Sequence, residues 1–260
     1  MKLGIPFGLA GMVLIATSLL FLWFVILSGL THHSPFGKSY FLQADTSGIT
    51  GARQTSQWTY FWICGEGNRD CGSAHAALPF GYAWDSRAAN VPSGLGGSHG
   101  NHTTSTHFWY MWRFGWVFFM MTLFFETVAL FTSILACCGR LGAALASFAT
   151  AVALFFYALA VSLMTATFVQ ARDRFKDNGR HARLGRWNFG FAWAGFAALA
   201  LAWVLFSASF FAAPSRKSRS ATTEKRGAYP WRKRNTSAIG EGRMQDGRVA
   251  EGRRVKDEYM

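Results

Sequence analysis

Long apolar blocks alternate with polar segments along the chain, and four of these blocks are nearly free of charge. A helix needs about 20 mostly apolar residues to cross roughly 30 Å of hydrocarbon. Backbone polar groups in lipid have no water to bind, so each block must pair its own backbone as a helix. The pattern therefore predicts four transmembrane helices, at residues 4–27, 114–136, 143–169 and 189–211.

The same pattern divides the whole chain. The predicted segments are a first helix with a short cytoplasmic N-terminus (1–30), an extracellular loop or cap (31–113), a second helix (114–136), a short cytoplasmic turn (137–142), a third helix (143–169), a short basic extracellular loop (170–188), a fourth helix (189–211) and a basic disordered cytoplasmic tail (212–260). A cleaved signal peptide is the alternative for the first helix. Its apolar run exceeds the usual 7–15 or so residues of a signal peptide, and no A-x-A-like site follows it, so we interpret it as an anchor.

Composition supports a chain that is partly dissolved in lipid. Apolar residues make up 51% of it and charged residues 15%, which excludes disorder of the chain as a whole. Four cysteines in 260 residues are too few for a disulfide-dense scaffold.

Charge predicts the orientation. The tail from Pro214 onward holds 13 basic and 6 acidic residues, and the positive-inside rule places it in the cytoplasm. An even number of helices then puts the N-terminus inside and the long loop outside. The segment from Gln170 to Arg186, with a net charge of +4, argues against this topology. A cysteine pair and the glycosylation sequon at Asn101, both in the long loop, favour it.

The cysteines divide into two pairs. Cys64 and Cys71 lie seven positions apart in the long loop, where an oxidising environment favours one disulfide. Metal binding is the rival interpretation, although zinc sites usually have closer spacing and more ligands. Cys137 and Cys138 lie at the cytoplasmic end of the second helix, where they are either palmitoylated or free thiols.

The long loop also carries a family resemblance. The segment 41–53, the Gln57–Cys64 stretch (Gln-Trp-Thr-Tyr-Phe-Trp-Ile-Cys) and Cys71 resemble the first outer loop of the fungal Sur/PalI family. Members are four-span proteins distantly similar to claudins, with a Trp–Cys–Cys signature in that loop, and the resemblance covers about residues 1–213. It implies an all-α, four-helix transmembrane bundle with a small, disulfide-tied, β-rich cap. The cap motif would be Asp45, Arg53, Trp58, Tyr60 and Trp62, of which residues 60–62 replace the Gly-Leu-Trp of claudins.

The resemblance implies an organising function rather than catalysis. Eisosome-type members occupy static plasma-membrane compartments and influence endocytosis and cell-wall synthesis. PalI-type members assist ambient-pH signalling and usually carry a much longer tail. The tail here has about 47 residues, which favours the eisosome type, with lateral self-association, lipid contact, possible sterol or sphingolipid binding and coat proteins as expected partners.

Two polar features remain. Glu126 is the one charged residue within a predicted span, and either holds neighbouring helices together by hydrogen bonds or forms the ion site of a channel or transporter. Six of the seven histidines lie in the outer segment, and we interpret them as solvated, with pH sensing or metal binding as alternatives: His32, His33, His75, His99, His102 and His107.

The tail predicts lipid contact. Its basic residues nearest the fourth helix would attract anionic inner-leaflet lipids, each by about 1 kcal/mol near the surface: Arg216, Lys217, Arg219, Lys225, Arg226, Arg232, Lys233 and Arg234. The sequence carries no H-E-x-x-H or P-loop motif. We therefore expect no enzyme, cofactor, metal or nucleic-acid partner.

Overall fold

A computed structural model describes residues 4–30, 36–135 and 140–212. Four long helices dominate it: α1 (Gly4–Ile26), α2 (Thr106–Leu135), α3 (Arg140–Asp177) and α4 (Arg186–Ala212). Each is long and apolar enough to cross a membrane. The predicted palmitoylation sites, Cys137 and Cys138, and the basic residues of the tail lie outside the described residues.

The helices pack as an antiparallel bundle in which α2 lies mainly against α3 and α1 mainly against α4. Glycines bring both pairs close. A β-carbon at Gly115 would lie 3.0 Å from the Sδ of Met164 on α3, and one at Gly11 would lie 2.7 Å from the ring of Phe206 on α4. Small residues at such contacts let helix backbones approach, which is how helices associate where water supplies no driving force.

A small cap, formed by residues 36–105 and 178–185, lies at one end of the bundle. Its sheet has four antiparallel strands in the order β3–β2–β1–β4: β1 (Leu42–Asp45), β2 (Thr55–Trp58), β3 (Ile63–Cys64) and β4 (Ala182–Leu184). The remaining cap is turns and short helical pieces, at Phe36–Lys38, Phe80–Ala83 and His99–His102. The expected fold class, a four-helix bundle with a disulfide-tied β-rich cap, is confirmed.

The structure differs from the expected loop over 170–188. Helix α3 continues to Asp177, and the chain then forms β4, whose Leu184 pairs with Leu42 of β1. Charged residues ended the apolar run in the sequence. They did not end the helix, because a helix that leaves the lipid can continue with its polar side chains in water.

One apolar core joins the cap to the bundle. Phe41 of the cap stacks on Phe168 of α3 with ring centroids 4.9 Å apart, and Phe168 meets Trp112 of α2 at 4.8 Å. All three side chains are buried. The cap is therefore seated on the helix ends rather than tethered to them by loops.

Candidate functional site

The cysteine pair forms the predicted disulfide. Cys64, the last residue of β3, is bonded to Cys71. Inside the loop that this bond closes, the Gly65 amide donates to the Arg69 carbonyl over 2.7 Å. The bridge thus fixes the outer edge of the sheet, where a two-residue strand has little pairing of its own.

Trp58 connects the sheet to the third helix. Its indole nitrogen donates to the Phe80 carbonyl over 2.9 Å, and its ring stacks on the Phe80 ring at 4.8 Å. It also lies 5.8 Å from the ring of Phe175, on the part of α3 that extends into the cap. With no exposed surface, it forms the centre of the cap core.

Tyr60 connects the cap to the first and second helices. Its hydroxyl donates to the Trp116 carbonyl over 2.7 Å, its ring lies 5.4 Å from the Trp116 ring, and its amide donates to the Ser28 hydroxyl over 3.2 Å. Burial raises the pKa of Tyr60 well above its usual value. The phenol therefore stays neutral and remains a hydrogen-bond donor.

Trp62 has a different environment from Trp58. It is partly exposed and lines an open recess of about 530 Å³ together with Gly29, Asn68 and Asp70. Its carbonyl, rather than its ring, makes the local bonds, since it accepts from the amide and hydroxyl of Thr59 over 3.0 and 2.9 Å.

Asp45 and Arg53 do not meet. Asp45 accepts the Ser47 amide over 2.9 Å, and this hydrogen bonding, with the charge of Arg180 as a weaker cause, lowers the pKa of Asp45. Arg53 instead pairs with Asp70 in the disulfide loop over 2.8 Å. The two residues hold separate turns of the cap.

Two arginines that the sequence analysis treated only as charge clamp the cap. Arg180 donates to the carbonyls of Ser47 and Asn90 over 2.6 and 3.3 Å, and Arg183 of β4 donates to the Gln43 side chain over 2.8 Å. The partners lie about 90–140 positions away along the chain. The basic run itself was the signal for these residues, although it identified neither their partners nor their role.

The sequon lies on the cap surface. Asn101 is exposed, and its backbone is in the left-handed region, with φ of 56°. Its carbonyl accepts the Ser86 hydroxyl over 2.6 Å, and the Thr103 hydroxyl donates to the Gly100 carbonyl over 2.6 Å. The side chain of Asn101 is accessible, and whether it carries a glycan stays a prediction.

The histidines that the structure describes do not assemble. Those with described contacts meet partners on different segments: Ser73 for His75, Trp109 for His99 and Gln170 for His107. Across the described ranges, no group of three or more His, Cys, Asp or Glu side chains could hold a metal ion. His32 and His33 lie outside the described residues.

Glu126 is completely buried on α2, within the bundle. Ser18 of α1 and Tyr157 of α3 lie near enough to interact with it electrostatically. The lone intramembrane charge of the sequence is therefore enclosed by helices rather than exposed to lipid, as expected for ionisable groups in spans.

Together these features define a multi-pass membrane protein: four apolar helices with a small, disulfide-tied antiparallel cap seated on one end by buried aromatic side chains. The sequence model of the SUR7/PalI family matches residues 7–205, which include all four helices and the cap. The chain belongs to the SUR7/PalI family.

Curated relatives agree. The chain is 31% identical to Protein SUR7 of Candida albicans over 232 residues, which are 86% of this chain and 82% of that protein. It is 34% identical to the SUR7 family protein FMP45 of Saccharomyces cerevisiae over 177 residues, 66% of this chain and 55% of that protein. An uncharacterized plasma membrane protein of the same yeast is 33% identical over 180 residues, 66% of this chain and 57% of that protein. The chain thus spans little more than half the length of these two yeast relatives. The family match and the relatives together identify it as a plasma-membrane protein of the SUR7 type.

Proposed function

We propose that the protein is a non-enzymatic organiser of fungal plasma-membrane microdomains of the eisosome type, with links to endocytosis and the cell wall. The observation that carries this proposal is the family match, which is continuous through the four helices and the cap. The structure supports a scaffold role, because its most elaborate part is a seated cap whose motif residues bond to other parts of the same chain.

Lateral association is the proposed mode of action. Large aromatic side chains project from the outer surface of α2 and α3, and the most exposed are 60–71% accessible: Phe124, Phe131, Phe148 and Phe155. Such side chains pack against lipid tails or against a neighbouring copy, and aromatic packing contributes more than area burial alone. The proposal is that this face makes copies of the chain assemble into a lateral array with the surrounding lipids.

Orientation and attachment complete the proposal. With both termini in the cytoplasm, the basic tail lies beside the anionic inner leaflet, which attracts Lys and Arg by about 1 kcal/mol each. The cap then faces the cell exterior, where the Cys64–Cys71 bond is compatible with an oxidising environment. Eisosome coat proteins are the proposed cytoplasmic partners of the tail.

A fluorescent fusion of the full chain tests the proposed function. Static cortical patches with slow photobleaching recovery are expected, and a diffuse, freely recovering signal would contradict the organiser.

Replacing Phe131 and Phe148 by Ala should speed recovery, because both side chains project from the α2–α3 face. In the matched control, Leu201 and Val204, which are exposed on α4, are replaced by Ala. Equal recovery of both double variants would reject association through the α2–α3 face.

A second sequon, Asn235-Thr236-Ser237, lies in the tail that is predicted to be cytoplasmic. The two sequons therefore test the orientation within one chain. Asn101→Gln should abolish the gel shift that a glycosidase removes, and Asn235→Gln should leave it unchanged, because only the cap is proposed to face the secretory lumen. If Asn235→Gln abolishes the gel shift, the tail faces the secretory lumen and the orientation is the reverse of the proposed one. Protease protection of a C-terminal tag decides the orientation if neither sequon is used.

An accessory role in ambient-pH signalling is the second candidate, because the matching family model describes SUR7 and PalI proteins together. Deleting the gene separates the two functions. Loss of the response to alkaline medium with membrane patches intact would favour the signalling role, and loss of patches with a normal response would favour the organiser.

A further inference from the structure

The interior of the bundle contains a carboxylate without a counter-charge. Both side-chain oxygens of Glu126 are buried, and neither has a hydrogen-bond partner within the described residues. The two ion pairs of the described chain involve other residues. The nearest basic residue on its own helix, Arg113, lies 13 positions away, which is about 20 Å along a helix.

Other oxygen atoms converge on this carboxylate from the neighbouring helices. Tyr157 of α3 lies near enough to interact with it electrostatically, and the Tyr157 hydroxyl likewise has no hydrogen-bond partner among the described residues. Ser18 of α1 does so too, and its hydroxyl donates to the Gly195 carbonyl of α4 over 2.8 Å. A β-carbon at position 195 would overlap the Tyr157 hydroxyl. The absence of a side chain at Gly195 is therefore what makes room for that hydroxyl.

Aromatic rings place these groups at one level of the bundle and surround them. Phe125 stacks on Phe156 with centroids 5.1 Å apart, so that the neighbouring Glu126 and Tyr157 lie at the same height. The Tyr157 ring meets Phe119 and Phe196 edge-on at 5.9 and 6.1 Å. In this apolar shell an uncompensated carboxylate would be very costly, so a positive charge must accompany it.

We propose that Glu126, Tyr157 and Ser18 form a buried binding site for one exchangeable monovalent cation, either H⁺ or Na⁺. The donor set consists of oxygen atoms, which hard cations prefer. One carboxylate balances one positive charge, whereas divalent-cation sites commonly gather several carboxylates. The Ser18 hydroxyl on α1 and the Gly195 carbonyl that accepts from it on α4 do not titrate, so any pH dependence of the site belongs to Glu126 and Tyr157.

The site would link the bundle to its ionic surroundings. Its side-chain ligands come from α1, α2 and α3, and Ser18 is bonded to α4. A cation that binds only the assembled helices stabilises them in proportion to its concentration relative to its dissociation constant. The packing of the bundle would then respond to Na⁺ or to pH.

Thermal unfolding of the full chain in lipid nanodiscs tests this proposal. One series replaces Na⁺ by N-methylglucamine at constant ionic strength, and the other varies pH from 5 to 9. The wild type should change its Tm by at least about 2 °C in one of the two series. A response to Na⁺ identifies the metal ion, and a response to pH alone identifies the proton.

Variants make the test decisive. Glu126→Gln keeps the shape and removes the charge, so it should abolish the response, and Tyr157→Phe should weaken it while the bundle still folds. Ser147→Ala is the matched control, because it removes another polar contact between helices, the 3.0 Å bond to Ser207, and should keep the full response. An identical dependence of wild type and Glu126→Gln on both Na⁺ and pH would overturn the proposal.

Discussion

The cap and the bundle are held together in different ways. In the cap, a disulfide and side-chain bonds join segments far apart in the sequence, as when Trp58 binds the Phe80 carbonyl and Arg180 binds Ser47. In the bundle, apolar side chains and glycines supply most of the contacts between helices. The cap therefore depends on a few specific residues, whereas the bundle distributes its stability over many contacts.

The difference follows from what each backbone needs. A spanning helix satisfies its own amides and carbonyls, so its side chains only have to pack. Most of the cap is irregular, with short strands, and its buried backbone groups need partners from elsewhere. A single change should consequently cost more in the cap than in the bundle.

The largest expected effect comes from Trp58→Ala. The substitution removes a fully buried ring and its bond to Phe80, and loss of a core aromatic costs about 3–5 kcal/mol. Thermal unfolding in nanodiscs measures it. Trp187→Ala is the matched control, since that side chain is 51% exposed. Equal losses of Tm in the two variants would refute the idea of a cap core centred on Trp58.

The disulfide should rank next. Replacing Cys64 and Cys71 by Ser should destabilise the cap by about 2–3 kcal/mol, because the unfolded chain regains the freedom of a short closed loop. The same Tm loss should follow from reducing the wild type. The control is the Cys137→Ser, Cys138→Ser pair, which leaves the bridge intact. A Cys64→Ser, Cys71→Ser variant with the Tm of the wild type would show that the bond adds no stability.

A substitution at a contact between helices should cost less stability. Gly115→Ala places a β-carbon 3.0 Å from Met164. Overpacking costs about 1–3 kcal/mol, and a flexible methionine can yield, so we expect the lower end of that range. Gly190→Ala on α4 is the control, because no atom beyond its chain neighbours and the local helix backbone lies within 4 Å of the added carbon and Ala is the better helix former. If Gly115→Ala proves as harmless as Gly190→Ala, the α2–α3 contact is looser than the structure indicates.

The smallest effect concerns pH. Because its pKa is lowered in the folded cap, Asp45 contributes stability above its unfolded pKa of about 3.9. That contribution disappears as the pH falls through the lower folded value. Asp45→Asn should therefore lower the free energy of unfolding at pH 7 by less than about 1 kcal/mol at this partly exposed site, with a slightly lower Tm. At pH 2 it should have no such effect. A loss that persists at pH 2 would point to a contact that does not depend on charge.

Much of the fold could be predicted from the sequence because lipid imposes a simple rule. Uninterrupted apolar runs identified all four helices, and the pairing of Cys64 with Cys71 followed from their place in one loop. The ends of the helices were less certain: α2 begins at Thr106 rather than at 114, since polar and aromatic residues continue the helix beyond the apolar run.

The site was only partly predictable. The resemblance indicated Trp58 and Tyr60, but their partners lie on other elements and depend on the tertiary fold. Arg180 entered the sequence analysis only as a charge, for the same reason. Its charge argued against the proposed orientation, whereas the folded chain directs that charge to carbonyls of the cap. The positive-inside rule counts charges and takes no account of such contacts.

Strand β4 has a consequence for biosynthesis. It adds Ala182–Leu184 to a sheet whose other strands end at residue 64, so the ribosome must deliver more than a hundred further residues before the sheet gains its last member. By then the first three helices have been synthesised. The complete sheet thus forms late, and a nascent chain that has misplaced its third helix would be left with an unpaired edge on β1.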